Sequence, residues 1–380
     1  MLKNILSLVM AFSLGSQAGE FRLLFEASEH TLVGDEVSLP DGLEKLSLPN
    51  GLKLSFGEIV SMGDFYGIVG SPISEGANQK EKEGRFLSAF NLFASSGHAV
   101  GEVKQIVHAL HENLDKLLPQ IEAGFPVAEV FDKGGKERVK NWNCLTGGGC
   151  GVLWWTMPGR FLQLAEKNYD HFGHDSVTTY QIGHRLAVNH AVQAGKTSDQ
   201  AGLELALAME AFACHFLSDR FASGHIRVPR IELANEVYPS TVGSLLAGFM
   251  HNEDGADGLH VHNERGDKWV AFGDGRHLEP ANRMNKRIME EALQTSVNEI
   301  NMAYRAQEVV SSAKALRLIP HADDQGLAGR VDIAPLFYWN EKTAQMMRRV
   351  NLADTRDYRW TADWTGVTTL AELQLLKGRW

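Results

Sequence analysis

The run from Thr197 to Leu217 reads as a strong helix, and its end carries His215-Phe216-Leu217-Ser218-Asp219-Arg220-Phe221-Ala222-Ser223-Gly224-His225. One helical turn separates His215 from Asp219, so both side chains leave the same face. Gly224 then breaks the helix and folds His225 back toward that face. Two imidazoles and a carboxylate converging at a helix end are a ligand set for a borderline metal such as zinc. A lone His-x3-Asp is more often a surface ion pair or a capped terminus; the third spaced residue shifts the balance toward metal. The chain holds fifteen histidines in all. Several are grouped, as in Asp170-His171-Phe172-Gly173-His174-Asp175, His251-Asn252-Glu253-Asp254 and His260-Val261-His262.

The first eighteen residues carry one Lys and no acid, with an apolar core from Ile5 to Leu14 followed by Ser16-Gln17-Ala18. This is the pattern of a cleaved secretory signal, so residues 19–380 form the expected mature chain, secreted or periplasmic. No later stretch reaches the roughly eighteen unbroken apolar residues of a membrane span. In an oxidising compartment Cys144 and Cys150, on either side of Leu145-Thr146-Gly147-Gly148-Gly149, are expected to pair. That leaves Cys214 as a buried, inert thiol. With 380 residues, 44% of them apolar, the chain can bury a large core. Losing Lys3 with the signal takes the net charge from −10 to −11. That balance disfavours a stable nucleic-acid partner.

The expected fold is one mainly α domain with loop and hairpin insertions. From Phe21 to Ile73 the sequence reads as strand and loop, with turns at Pro40-Asp41-Gly42 and Pro49-Asn50-Gly51. Amphipathic helices are expected over 81–94 and 98–122, then a Gly-, Cys- and Trp-rich loop over 124–155 and a helix over 158–168. Three further helices follow, over 176–194, 197–220 and 231–250. Thr197 and Gln200 form a capping box that starts the second of these. Residues 259–272 alternate and break at Gly266-Asp267, which predicts a short hairpin. A long helix is expected over 279–308, and the tail is mixed.

The phrase from His215 to Arg230, with His171-Phe172 upstream and Gly63-Asp64-Phe65-Tyr66-Gly67 near the start, resembles the zinc-dependent phospholipases C and the related single-strand nucleases. It is most similar to the bacterial Legionella- and Pseudomonas-type branch, and the resemblance spans most of the mature chain. It implies a multi-helical domain holding two or three zinc ions that cleaves a phosphodiester. The implied ligands are His171, His215, Asp219, His225, His251 and an acid just after it, with Asp219 bridging. The family places that acid where Gly255 stands, so Asp254 is the substitute and Glu253 is less well placed. Asp64 matches the carboxylate beside the attacking water. The family's N-terminal tryptophan ligand has no counterpart at residue 19 or 20, and His30 is a candidate to replace it.

The implied activity is a phospholipase C that releases diacylglycerol and a phosphorylated head group from phospholipid, phosphatidylcholine above all, at a membrane or micelle surface. A zinc nuclease is the alternative enzyme, and a helical protein with a structural metal site the alternative outside catalysis. Arg227 and Arg230 either steer a phosphate or pair with acids such as Glu232. Phe65, Tyr66 and Trp269 either offer aromatic faces to a quaternary ammonium or belong to the core. His184, His190, His108, His111, His260 and His262 are expected to be core or surface residues, and His174 to stand behind a ligand.

Overall fold

The computed structural model describes residues 26–309, 313–323 and 335–376; the expected signal at 1–18 lies outside them. In chain order the helices are α1 (Ala27–Asp35), α2 (Phe56–Val60), α3 (Gln79–Ala94), α4 (Val100–Glu122), α5 (Val127–Asp132), α6 (Gly135–Leu145) and α7 (Arg160–Glu166). They continue as α8 (Gly173–Thr197), α9 (Gln200–Asp219), α10 (Ser223–Ile226), α11 (Arg230–Glu236), α12 (Ser240–Asp257), α13 (Arg283–Ala306) and α14 (Gly366–Leu375). The fold is mainly α. Helix α9 sits between α8 and α13, with α2 and the 3-10 turn Ser61–Asp64 across it. Helix α9 has the length and composition of a membrane-crossing helix, yet nearly all of it is enclosed by the molecule. A helix apolar on all sides is what the centre of a bundle requires.

The strands are short. β1 (Leu46–Ser47) pairs with β2 (Lys53–Leu54); β3 (Leu259–His262) pairs antiparallel with β4 (Lys268–Ala271) on one side and β5 (His321–Ala322) on the other. The predicted hairpin is therefore present. It places His260 and His262 on one surface face, where His262 lies against His321. β6 (Phe337–Asn340), β7 (Gln345–Arg349) and β8 (Trp360–Thr361) form a second antiparallel sheet. A large apolar core surrounds α9, and a second cluster joins α11, α12 and α14 to the β6–β7 sheet through Leu246, Phe249, Phe337 and Leu373.

Four expectations are corrected. Residues 26–73 hold the short β1–β2 pair but also α1, α2 and the turn Ser61–Asp64, rather than strand and loop alone. Gly34 and Gly57 let α1 and α2 touch backbone to backbone: a Cβ on Gly57 would lie 2.1 Å from the Thr31 carbonyl oxygen. The loop expected over 124–155 contains α5 and α6, separated at Gly134, whose φ of 87° only glycine adopts readily. Thr197 does not cap α9: it ends α8, its hydroxyl donates to the Ala194 carbonyl, and the left-handed Ser198 follows. The helix expected over 231–250 is split into α11 and α12 at Val237-Tyr238-Pro239, because Pro239 has no N–H to continue the first ladder. Cys144 and Cys150 are bonded, and Cys214 is a buried free thiol.

Candidate metal centre

Seven separate pieces of backbone aim side chains at one volume beside the end of α9. That helix contributes His215 and Asp219, and α10 turns His225 back beneath them. The 3-10 turn Tyr169–His171 brings His171, the turn Ser61–Asp64 brings Asp64, α1 brings His30, α12 brings His251 and the loop after β4 brings Asp274. Three sets of ligand atoms result: His30, His215 and Asp219; Asp64, His171 and His215; His225, His251 and Asp274.

Asp219 connects the first two. Its Oδ2 is 2.8 Å from His171 Nδ1 and 3.4 Å from His215 Nε2, while its Oδ1 is 3.4 Å from His30 Nε2. His215 Nε2 is 3.1 Å from His171 Nδ1 and 3.8 Å from Asp64 Oδ1. In the third set Asp274 Oδ2 lies 3.1 Å from His251 Nε2 and 3.5 Å from His225 Nε2. The rings are held from behind. His225 Nδ1 donates to the His171 carbonyl at 3.0 Å, which leaves Nε2 for the site, and His30 Nδ1 meets Ser218 Oγ at 2.8 Å. Phe172 stacks on His225 at 4.5 Å. Asp170 accepts the amides of Ile73 and Ser74, fixing the turn before His171.

Burial alone would raise the Asp219 carboxyl, but the imidazoles of His215, His171 and His225 outweigh it and hold it far below the ordinary range. Asp274, buried likewise, is held down by His225 and His251. Burial, helped by the neighbouring imidazoles His30, His171 and His225, keeps His215 well below its usual value against the pull of Asp219. A neutral imidazole is the ligating form. For His171 the pull of Asp219 overcomes burial and the ring is shifted up. Burial lifts Asp64 to about 6, partly offset by His30 and His171.

Two glycines make room. A Cβ on Gly63 would lie 2.2 Å from the His215 ring, and one on Gly224 would lie 2.5 Å from that of His251. Next to the centre is a cavity of about 40 Å³ lined by Glu29, His30, Asp219, Asp274 and His277 among others. Its lining mixes polar and apolar groups, and it has room for a few waters.

Asp254 is not part of this group. Both of its oxygens accept from Arg227, at 2.9 and 2.8 Å, and Glu253 pairs with the buried Arg349 at 3.0 Å. Asp274 supplies the carboxylate beside His251 instead. The Gly273 amide donates to the Gly255 carbonyl at 3.0 Å, and a Cβ on Gly273 would lie 2.5 Å from the Gly255 Cα. The loop after β4 thus lies against α12 at the place where an acid at 255 would have stood. The trace of this in the sequence is an aspartate flanked by glycines, Gly273-Asp274-Gly275.

The four residues expected to touch substrate lie elsewhere. Phe65 and Tyr66 are buried; Phe65 packs on Trp142 and Phe161, and the Tyr66 hydroxyl donates to Glu102 at 2.6 Å. Arg227 is engaged by Asp254, and Arg230 is buried, donating to Asn168, Ser244 and the Glu166 carbonyl. Trp269 is buried too and donates to Asn285. His174 is exposed and belongs to none of the three ligand sets. No family model matches the chain, nor does any curated protein or solved structure compared with it.

Proposed function

We propose that the chain is a zinc-dependent phosphoric diester hydrolase, a phospholipase C acting on phospholipid. The observation that carries the reading is Asp219, whose two oxygens face two different imidazole sets. A bridging carboxylate is what a centre of more than one ion needs, and a single structural zinc does not.

The donor set fits zinc. Tetrahedral bonds of about 2.0–2.1 Å place neighbouring ligand atoms about 3.3 Å apart; several nitrogen–oxygen and nitrogen–nitrogen pairs here stand 2.8–3.8 Å apart, and all atoms of each set lie within 4.8 Å of one another. His225 Nε2, buried inside the third set, lacks a hydrogen bond among the described residues. The glycines at 63 and 224 leave space for rings rather than side chains. A closed structural site would leave no water beside its ligands, whereas the cavity lies against His30, Asp219 and Asp274.

Zinc, when bound, supplies positive charge that neutralises a phosphodiester's oxygens and acidifies water. His171, His215 and Asp219 would hold one ion, His30 and Asp219 a second, and His225, His251 and Asp274 a third. Asp64, at the edge of the first set and farther from His215 than Asp219 is, orients a water and takes its proton. The preference for lipid over nucleic acid rests on the acidic balance of the sequence and the resemblance of its motifs.

The test is to count zinc in the purified chain and assay phosphatidylcholine and single-stranded DNA in parallel, with and without chelator. Two or three zinc ions and chelator-sensitive release of diacylglycerol are expected, with both lost in Asp219→Asn. Cleavage of DNA alone selects the nuclease, and zinc without turnover a structural site.

A further inference from the structure

Residues 141–159 run Asn-Trp-Asn-Cys-Leu-Thr-Gly-Gly-Gly-Cys-Gly-Val-Leu-Trp-Trp-Thr-Met-Pro-Gly, without a charged side chain between Lys140 and Arg160. The Cys144–Cys150 bond closes the ring of this loop. Its apolar side chains divide into two groups. Trp142 and Trp154 are buried and anchor the loop, while Val152 is 85% exposed, Leu153 61% and Met157 60%.

Part of the loop backbone is bonded to itself, while the amides of the exposed Cys150, Gly151, Val152 and Leu153 have no hydrogen-bond partner among the described residues. Gly148 N donates to Asn143 O, Gly149 N to Met157 O, Trp154 N to Gly151 O, Thr156 N to Leu153 O and Met157 N to Trp154 O. The buried Asn143 side chain donates to the Gly149 carbonyl and accepts from Gly159 N. The hydroxyl of Thr156, the exposed polar side chain at the tip, is turned back onto the Leu153 carbonyl.

We infer that the disulfide-closed loop 144–157 is a lipid-docking element that inserts Val152, Leu153 and Met157 into the surface of a phospholipid bilayer. A protein partner calls for a polar, charged rim around an apolar centre, and this stretch has no charges to provide one. A bilayer asks for exposed apolar side chains, with aromatic rings at the boundary such as the half-buried Trp155. The loop also adjoins the metal centre: Arg160, which ends it, donates from Nε to the Phe65 carbonyl at 2.6 Å, one residue after Asp64. That docking presents substrate to the centre rests on the proposed function; the docking itself does not.

The experiment uses the zinc-loaded chain, phosphatidylcholine vesicles and the soluble diester bis(p-nitrophenyl) phosphate. Val152→Ser, Leu153→Ser and Met157→Ser combined should weaken vesicle co-sedimentation by about tenfold or more. Vesicle hydrolysis should fall in parallel, with soluble-diester turnover and melting temperature unchanged. Val152→Asp alone, on a fully exposed side chain, gives the same readout should the triple variant melt early. Vesicle binding within twofold of wild type in both variants, or a wild-type chain that stays in the supernatant, overturns the inference. A chain that binds vesicles through this loop and cleaves neither substrate leaves it standing and removes the phospholipase reading.

Discussion

Two aspartates close in sequence have different jobs, and substitution separates them. Asp274→Asn removes the carboxylate that completes the set with His225 and His251. It should lower the zinc content by one ion and cut turnover by at least the roughly 10–100-fold seen when a metal ligand's support is lost. Asp254→Asn should keep the full zinc count but destabilise the fold by about 3–5 kcal/mol, because Arg227 would be left without its buried partner. Metal analysis and urea unfolding of both variants check this; equal zinc loss in the two would assign Asp254 to the centre after all. His215, Asp219 and His225 could be read from sequence because their spacing along one helix and its exit encodes their direction. Asp274 could not, since its position depends on Gly273 meeting Gly255 across the fold. Phe65 and Tyr66 follow Asp64 directly yet point into the core, because the turn that exposes the carboxylate to the centre buries its neighbours.

The 3-10 turn Ser61–Asp64 approaches α9 closely enough that Gly63 is in contact with the His215 ring. Gly63→Ala should therefore push that ring aside. Overpacking of this kind costs about 1–3 kcal/mol, and zinc affinity should drop by about tenfold or more. Gly101→Ala, on an exposed face of α4 with open space around it, should leave both quantities near wild type. Calorimetric zinc titration and thermal melts provide the comparison. Contacts of the same kind explain which helices were hidden in the sequence. Helices α3, α4 and α13 pair a buried stripe with a wet face, so their periodicity is visible. Helix α1 is buried on nearly every side and meets α2 through glycine, so it carries no stripe to read.

Across the whole molecule, α8, α9 and α13 are joined by a buried histidine. His184 Nδ1 lies 3.0 Å from Glu210, and its Nε2 lies 3.3 Å from Glu299. Burial alone would lower this imidazole, but the two carboxylates prevail and push it up to about 10. A folded value above the unfolded one of about 6.5 means a stabilising contribution that is complete below about pH 6.5 and is lost as pH rises through about 10. The unfolding free energy of wild type over His184→Gln should accordingly shrink between those limits; a gap that widens toward alkaline pH would contradict the assignment. The helical class of the chain was plain from its periodicity, whereas the division of its interior into separate apolar clusters, two of them large, was not. His215 and Asp219 extend from the cluster around α9, while His251 extends from α12, in the other. Ions held by both would work as a clasp. Stripping them should loosen one half of the body against the other before either half melts, so that metal supply governs rigidity as well as chemistry.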